Sequence, residues 1–137
     1  MTTAFVDSSA WIALVVQRDA QHTRARDLFR SIARDTKLVT SNGVLGESLT
    51  FLTYRNHRTQ ALQLKAMIEA AAQTNLLALD WVTQEVHDRA WEIYERFEDH
   101  TFSYWDCSSF AICEARGVDF VFGFDRDFEI AGFQLRP

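Results

Sequence analysis

The sequence predicts an α/β sandwich, with a central, mostly parallel sheet of about five strands flanked by helices. Three observations point there. Short apolar runs of strand length recur without the polar alternation of a half-solvated strand, as in sheets covered on both faces. Longer segments with apolar residues three and four apart separate them. The 137 residues are 47% hydrophobic, with 11 Phe and 4 Trp, enough for one substantial core.

The first element is the stretch "TTAFVDSSAWIALVV", residues 2–16. A buried strand at Ala4–Val6 runs through Asp7 into an apolar helix. Ala25, Leu28, Phe29 and Ile32 then form one helical stripe, and Leu38–Val39 the next strand. Val44, Leu45, Ser48, Phe51 and Leu52 mark a third helix, and residues 59–74, rich in Ala and Leu, a fourth. A strand follows at Leu76–Leu79, then the stripe Val86, Ala90, Ile93, Tyr94 and Phe97. Residues 104–116 read as a helix, Phe120–Phe122 as a strand, "RDFEIAG" as a short helix, and Phe133–Leu135 as a weaker fifth strand. The only Pro is the last residue, there are five Gly, and no repeat or low-complexity segment occurs, so residues 1–137 are expected to form a single domain.

The longest apolar run, Ala10–Val16, is far short of the roughly 20 residues a membrane helix needs, and no basic residue precedes it. A soluble, cytoplasmic protein with no membrane association is expected. Cys107 and Cys113, six apart on one helix, point about 240° apart and cannot pair with each other. His22, His57, His87 and His100 lack metal-ligand spacing, which argues against zinc. The net charge of −5 hides an asymmetry: residues 1–65 carry +4 and residues 66–137 carry −9. The basic part can meet a phosphate backbone while an acidic pocket draws on both parts.

Four acids break the apolar pattern. Asp7 ends the first strand, and Asp125 follows "DFVFGF". Glu47 falls about 60° from Val44, at the margin of its helix's apolar stripe. Asp106 lies in the first turn of "YWDCSSFAICEAR". In a parallel sheet, sites gather at the C-terminal ends of strands. Carboxylates brought within ~4 Å there would repel by about 4 kcal/mol per pair at an effective dielectric of 20. Such a cluster requires cations, and hard divalent ions such as Mg²⁺ or Mn²⁺ fit an all-carboxylate donor set. Each acid also has a structural reading. Ser103 and Asp106 fit a capping box, Asp125 can cap the short helix, Asp7 can begin a helix, and Glu47 can be a solvated flank.

"FVDSSAWIAL", "SNGVLGESLTFL", "FSYWDCSSFAICEARG" and "VFGFDRDFEIAGF" together resemble the four motif blocks of PIN-domain ribonucleases, and among these the VapC-type toxins of bacterial toxin–antitoxin pairs. Order, spacing and length agree over essentially the whole chain. The resemblance implies a PIN-like three-layer sandwich and an acidic quartet of Asp7, Glu47, Asp106 and Asp125, with Asp7 and Asp106 as principal Mg²⁺ ligands. Asp127 is a possible auxiliary acid, and Ser9 a hydroxyl that supports Asp7. Many relatives carry Thr or Ser where this chain has Gly123. The activity implied is Mg²⁺-dependent hydrolysis of RNA phosphodiesters, Mn²⁺ substituting, with a small antitoxin protein as partner and a homodimer as the assembly.

For RNA contact, "TYRNHR" offers Tyr54, Arg55, His57 and Arg58, with cations at a helix end as the structural alternative. The arginines of "RARDLFRSIARD" read as a solvated helix face, and Trp11, Trp81, Trp91 and Trp105 as core. Three rivals remain at this stage. A phosphoacceptor domain would want a late Lys, and none follows Lys65. A catalytically degenerate PIN-like binding module would have lost the acids. A related metal nuclease acting on DNA or on a nucleic-acid structure differs by nothing legible here.

Overall fold

β1 (Thr2–Val6) is the centre of a five-stranded sheet in a computed structural model that describes residues 1–136. β2 (Thr36–Ser41) and β3 (Leu77–Asp80) extend the sheet on one side, and β4 (Phe120–Phe122) and β5 (Leu135–Arg136) on the other, in the order β3-β2-β1-β4-β5. Every neighbouring pair is parallel, so the sheet expected to be mostly parallel is wholly so. Ala4, Phe5, Val6, Val39 and Phe120–Phe122 are fully buried or nearly so, which is why these strands read as unbroken apolar runs.

The connections are helical. α1 (Ser8–Val15) and α2 (His22–Ile32) lead from β1 to β2; α3 (Asn42–Tyr54) and α4 (Arg58–Gln73) lead to β3. α5 (Gln84–Arg96) and α6 (Tyr104–Arg116) return the chain to β4, and α7 (Asp127–Ile130) leads to β5. α1 packs on α2, α3 and α4, and α5 on α6, the two groups expected on opposite faces when right-handed crossovers reverse the direction of strand addition after β3. Phe5 and Phe110 both pack against Phe128 of α7, with ring centroids 6.2 and 5.1 Å away. On α1, the Trp11 indole donates to Thr40 Oγ1 (3.0 Å), whose hydroxyl in turn donates to the Val6 carbonyl (3.0 Å), tying that helix to β1 and β2. The reversal leaves a crevice at the C-terminal ends of β1 and β4, where open α/β sheets place ligands.

Three expectations need correction. The fifth strand is Leu135–Arg136 rather than Phe133–Leu135, with Arg136 laid over the Phe120 ring at 4.1 Å. Of the four tryptophans only Trp11 is core; Trp81, Trp91 and Trp105 are 66%, 47% and 43% exposed. The "TYRNHR" segment is not one helix end: α3 stops at Tyr54, Asn56 takes a positive φ of 60°, and Arg58 begins α4. Cys107 and Cys113 are both free and buried. No helix among the described residues is long and apolar enough to cross a membrane.

Candidate active site

The four acids arrive at the crevice from four elements. Asp7 follows β1 directly and continues its pairing with β4, its N–H donating to the Phe122 carbonyl at 3.0 Å. It occupies the N-cap position of α1 but makes no side-chain capping bond. The residue is only 6% exposed, and its carboxylate accepts the Ser9 hydroxyl at 3.1 Å. Burial, with help from the charge of Asp125, raises its pKa to about 6 despite opposing hydrogen bonds from Ser8 and Ser9.

Glu47 lies midway along α3, whose start is fixed by Ser41 accepting the Val44 N–H at 3.0 Å. Burial pushes its pKa to about 7, and the charges of Asp7, Asp106 and Asp125 push the same way with no hydrogen bond in opposition. Asp106 is held by the anticipated capping box: Ser103 N donates to Asp106 Oδ2 (2.9 Å), and Asp106 N to Ser103 Oγ (3.0 Å). One carboxylate oxygen is thus anchored while burial and Asp125 raise its pKa. Asp125 likewise accepts the Asp127 N–H on Oδ1 (2.9 Å), starting the turn into α7. For Asp106 the structural role and a place at the crevice coexist; Asp125 makes the turn before α7 but does not cap it, since the N-cap is Arg126.

Ser9 does more than support Asp7. Its hydroxyl also accepts the Phe124 N–H at 2.9 Å, linking the ends of β1 and β4. A Cβ at Gly123 would lie 3.1 Å from both Asp7 Cβ and Ser9 Oγ, so Ser9 fills the space a side chain there would take. Asp127 is half-buried; burial first, then Asp125 and Asp106, raise its pKa, and His100 opposes them.

Of the basic candidates, Tyr54 and Arg55 line the same groove as Glu47, together with Trp105. His57 lines a different cleft with Val16, Arg18 and Gln60, and Arg58 is exposed at the start of α4. Arg55 caps the C-terminal end of α3, where a cation suits the dipole; Arg58, at the opposite end of a helix, does not. Trp105, assigned to the core from sequence, was the residue missed. The available signal was its place two residues into α6, ahead of the buried run Cys107–Cys113.

Among the described residues, no three Asp, Glu, His or Cys side chains already form a set that holds a metal ion. Mg²⁺ does not demand one, since it keeps several waters and is bound through one or two carboxylates plus substrate phosphates. Oxygen-only donors that raise one another's pKa fit a hard divalent cation, which would relieve their repulsion.

The PIN domain family model matches residues 4–134. The chain is 36% identical to the 23S rRNA-specific endonuclease VapC20 of Mycobacterium tuberculosis, over 97% of this chain and 98% of that one. It is similar in structure to the crystal structure of M. tuberculosis VapC20, a sarcin–ricin loop cleaving toxin, with a TM-score of 0.84 and 34% identity over 98% and 99% of the two chains. The fold is also that of VapBC2 from Rickettsia felis, solved bound to a promoter DNA fragment, with a TM-score of 0.74 at 9% identity over 98% of each chain. With a parallel sheet, acids gathered at its reversal point and a match along nearly its whole length, this chain belongs to the PIN-domain family.

Proposed function

We propose that this chain is a single-domain, metal-dependent endoribonuclease and the toxin of a toxin–antitoxin pair. One observation carries the reading: Asp7, Glu47, Asp106 and Asp125 reach one crevice from four elements, where burial first and their mutual charge second raise Asp7 to about 6 and Glu47 to about 7. The 36%-identical relative is a 23S rRNA-specific endonuclease, which makes 23S rRNA the first substrate to test.

Asp7 and Asp106 are the principal ligands, Glu47 and Asp125 complete the set, and Asp127 is auxiliary. A divalent ion held there, Mg²⁺ or Mn²⁺, supplies water activation and charge stabilisation for phosphodiester hydrolysis. Water adds across the P–O3′ bond, leaving 5′-phosphate and 3′-hydroxyl ends. Ser9 keeps Asp7 in place, and Ser103 does the same for Asp106. Tyr54 and Arg55 contact the RNA beside Glu47, with His57 and Arg58 further along the strand.

The chain acts in the cytoplasm as a homodimer restrained by a small antitoxin, whose basic tail pairs with the acids as charge-assisted bidentate Arg pairs do. The test is incubation of the purified protein with 23S rRNA in Mn²⁺ or in chelator, with sequencing of the ends. Discrete cuts bearing 5′-phosphates in Mn²⁺ alone are expected; intact RNA under both conditions would overturn the reading.

A further inference from the structure

A groove of about 570 Å³ runs along α3 from Asn42 to Arg55, with Glu47 and Trp105 in its walls. Two glycines form part of it, although Gly inside a helix is destabilising relative to Ala. Gly43 is explained by packing: a Cβ there would lie 2.9 and 3.0 Å from Trp105 Cε3 and Cζ3, so the indole rests against the helix backbone. Gly46 is not, because a Cβ there would meet nothing within 4 Å. What its missing side chain preserves is the open groove.

Trp105 is held from a second side, edge-to-face on Tyr104 with centroids 5.0 Å apart, yet remains 43% exposed. The Arg55 guanidinium lies 3.7 Å from the centre of the Phe51 ring, and Tyr54 beside it is 82% exposed. Resting on the endoribonuclease reading, we propose that this groove is a nucleobase subsite. Trp105 stacks an unpaired base adjacent to the scissile phosphate, and Phe51, Arg55 and Tyr54 receive the strand beyond it.

Three features favour a base over a partner helix. The walls include three aromatic rings, Phe51, Tyr54 and Trp105, and the Arg55 guanidinium, the surfaces on which unpaired bases stack. Leu, Ile and Val, which anchor an amphipathic helix in a groove, are absent from the described walls. The groove is also continuous with the acidic crevice: it contains Glu47, and Trp105 precedes Asp106 in the chain. A base stacked on Trp105 therefore places its own phosphate beside the carboxylates. Trp105 is a positioning and specificity-determining residue, not a catalytic one.

The test is steady-state cleavage, in Mn²⁺, of an RNA oligonucleotide spanning a mapped 23S rRNA cut, and of the same oligonucleotide with one abasic nucleotide at each flanking position. Trp105→Ala should raise KM about 5- to 100-fold with a smaller change in kcat, and Trp105→Phe should retain most of the binding. Gly46→Leu, whose side chain enters open space, should melt no lower than wild type and raise KM in the same way. One abasic position should weaken the wild type but cost Trp105→Ala nothing more. Wild-type KM in both Trp105→Ala and Gly46→Leu, or equal abasic penalties in wild type and Trp105→Ala, would overturn the subsite. So would loss of antitoxin capture by these variants with RNA kinetics unchanged, which would assign the groove to a protein. A wild type that cuts no RNA sinks the nuclease reading and the subsite together, an outcome distinct from variants that cut normally.

Discussion

Asp7 stands at the head of α1, and hydrogen bonds from Ser8 and Ser9 offset only part of the cost of burying its carboxylate. The consequence for stability has a definite sign. An acid held at about 6 in the fold, against an ordinary 3.8, is protonated more readily folded than unfolded. Its ionisation therefore costs stability, by almost nothing below about pH 3 and by about 3 kcal/mol near pH 7. In chelator, Asp7→Asn should be as stable as wild type near pH 3 and more stable at pH 7, the gap widening as pH rises between them. Urea unfolding at both values measures it, and a gap that stays constant or narrows contradicts the assignment. Ser9→Ala removes the donor to Asp7 and orphans the Phe124 N–H. It should cost about 1–2 kcal/mol and slow RNA cleavage by about 10-fold, checked by melting and by initial rates.

At the scale of elements, α6 shows how one local device serves two ends. Its capping box starts the helix and aims Asp106, so Ser103→Ala should lower stability by about 1 kcal/mol and also raise the Mn²⁺ concentration needed for half-maximal cleavage. A variant that loses only stability would separate the two roles. At the end of β4, Gly123→Ser forces a Cβ to within 3.1 Å of Asp7 and Ser9. It should destabilise by about 1–3 kcal/mol, less in a Ser9→Gly background, as a double-mutant cycle of melting curves would report. The central strands were legible because burial on both faces makes their middles unbroken apolar runs, Ala4–Val6 and Leu38–Val39, and β4 falls on Phe120–Phe122 as its apolar run predicts. β5 was displaced because a two-residue edge strand is defined by backbone pairing and carries an Arg. Trp105 was misread because composition marks a Trp as apolar, while its place in the first turn of α6 leaves it half outside. His57 and Arg58 stand apart from Tyr54 and Arg55 because the positive φ of Asn56 turns the chain between them, a break that local charge pattern does not reveal.

For the molecule as a whole, the reversal of strand order between β1 and β4 turns four scattered acids into one cluster. Their neighbourhood could be anticipated from strand ends, but their mutual charge coupling required the fold. A cation that binds only the folded chain stabilises it by mass action, so millimolar Mn²⁺ should raise the melting temperature of wild type and much less that of Asp7→Asn. An equal rise in both would place the ion elsewhere. The most direct test of the account is the initial rate of 23S rRNA cleavage as Mn²⁺ is titrated, for wild type and for Asp106→Asn, with folding verified by circular dichroism. Wild type should rise from no cleavage in chelator to a plateau, and folded Asp106→Asn should stay at least about 100-fold lower at every Mn²⁺ concentration. Cleavage that persists in chelator, or a folded Asp106→Asn that matches wild type, would contradict it.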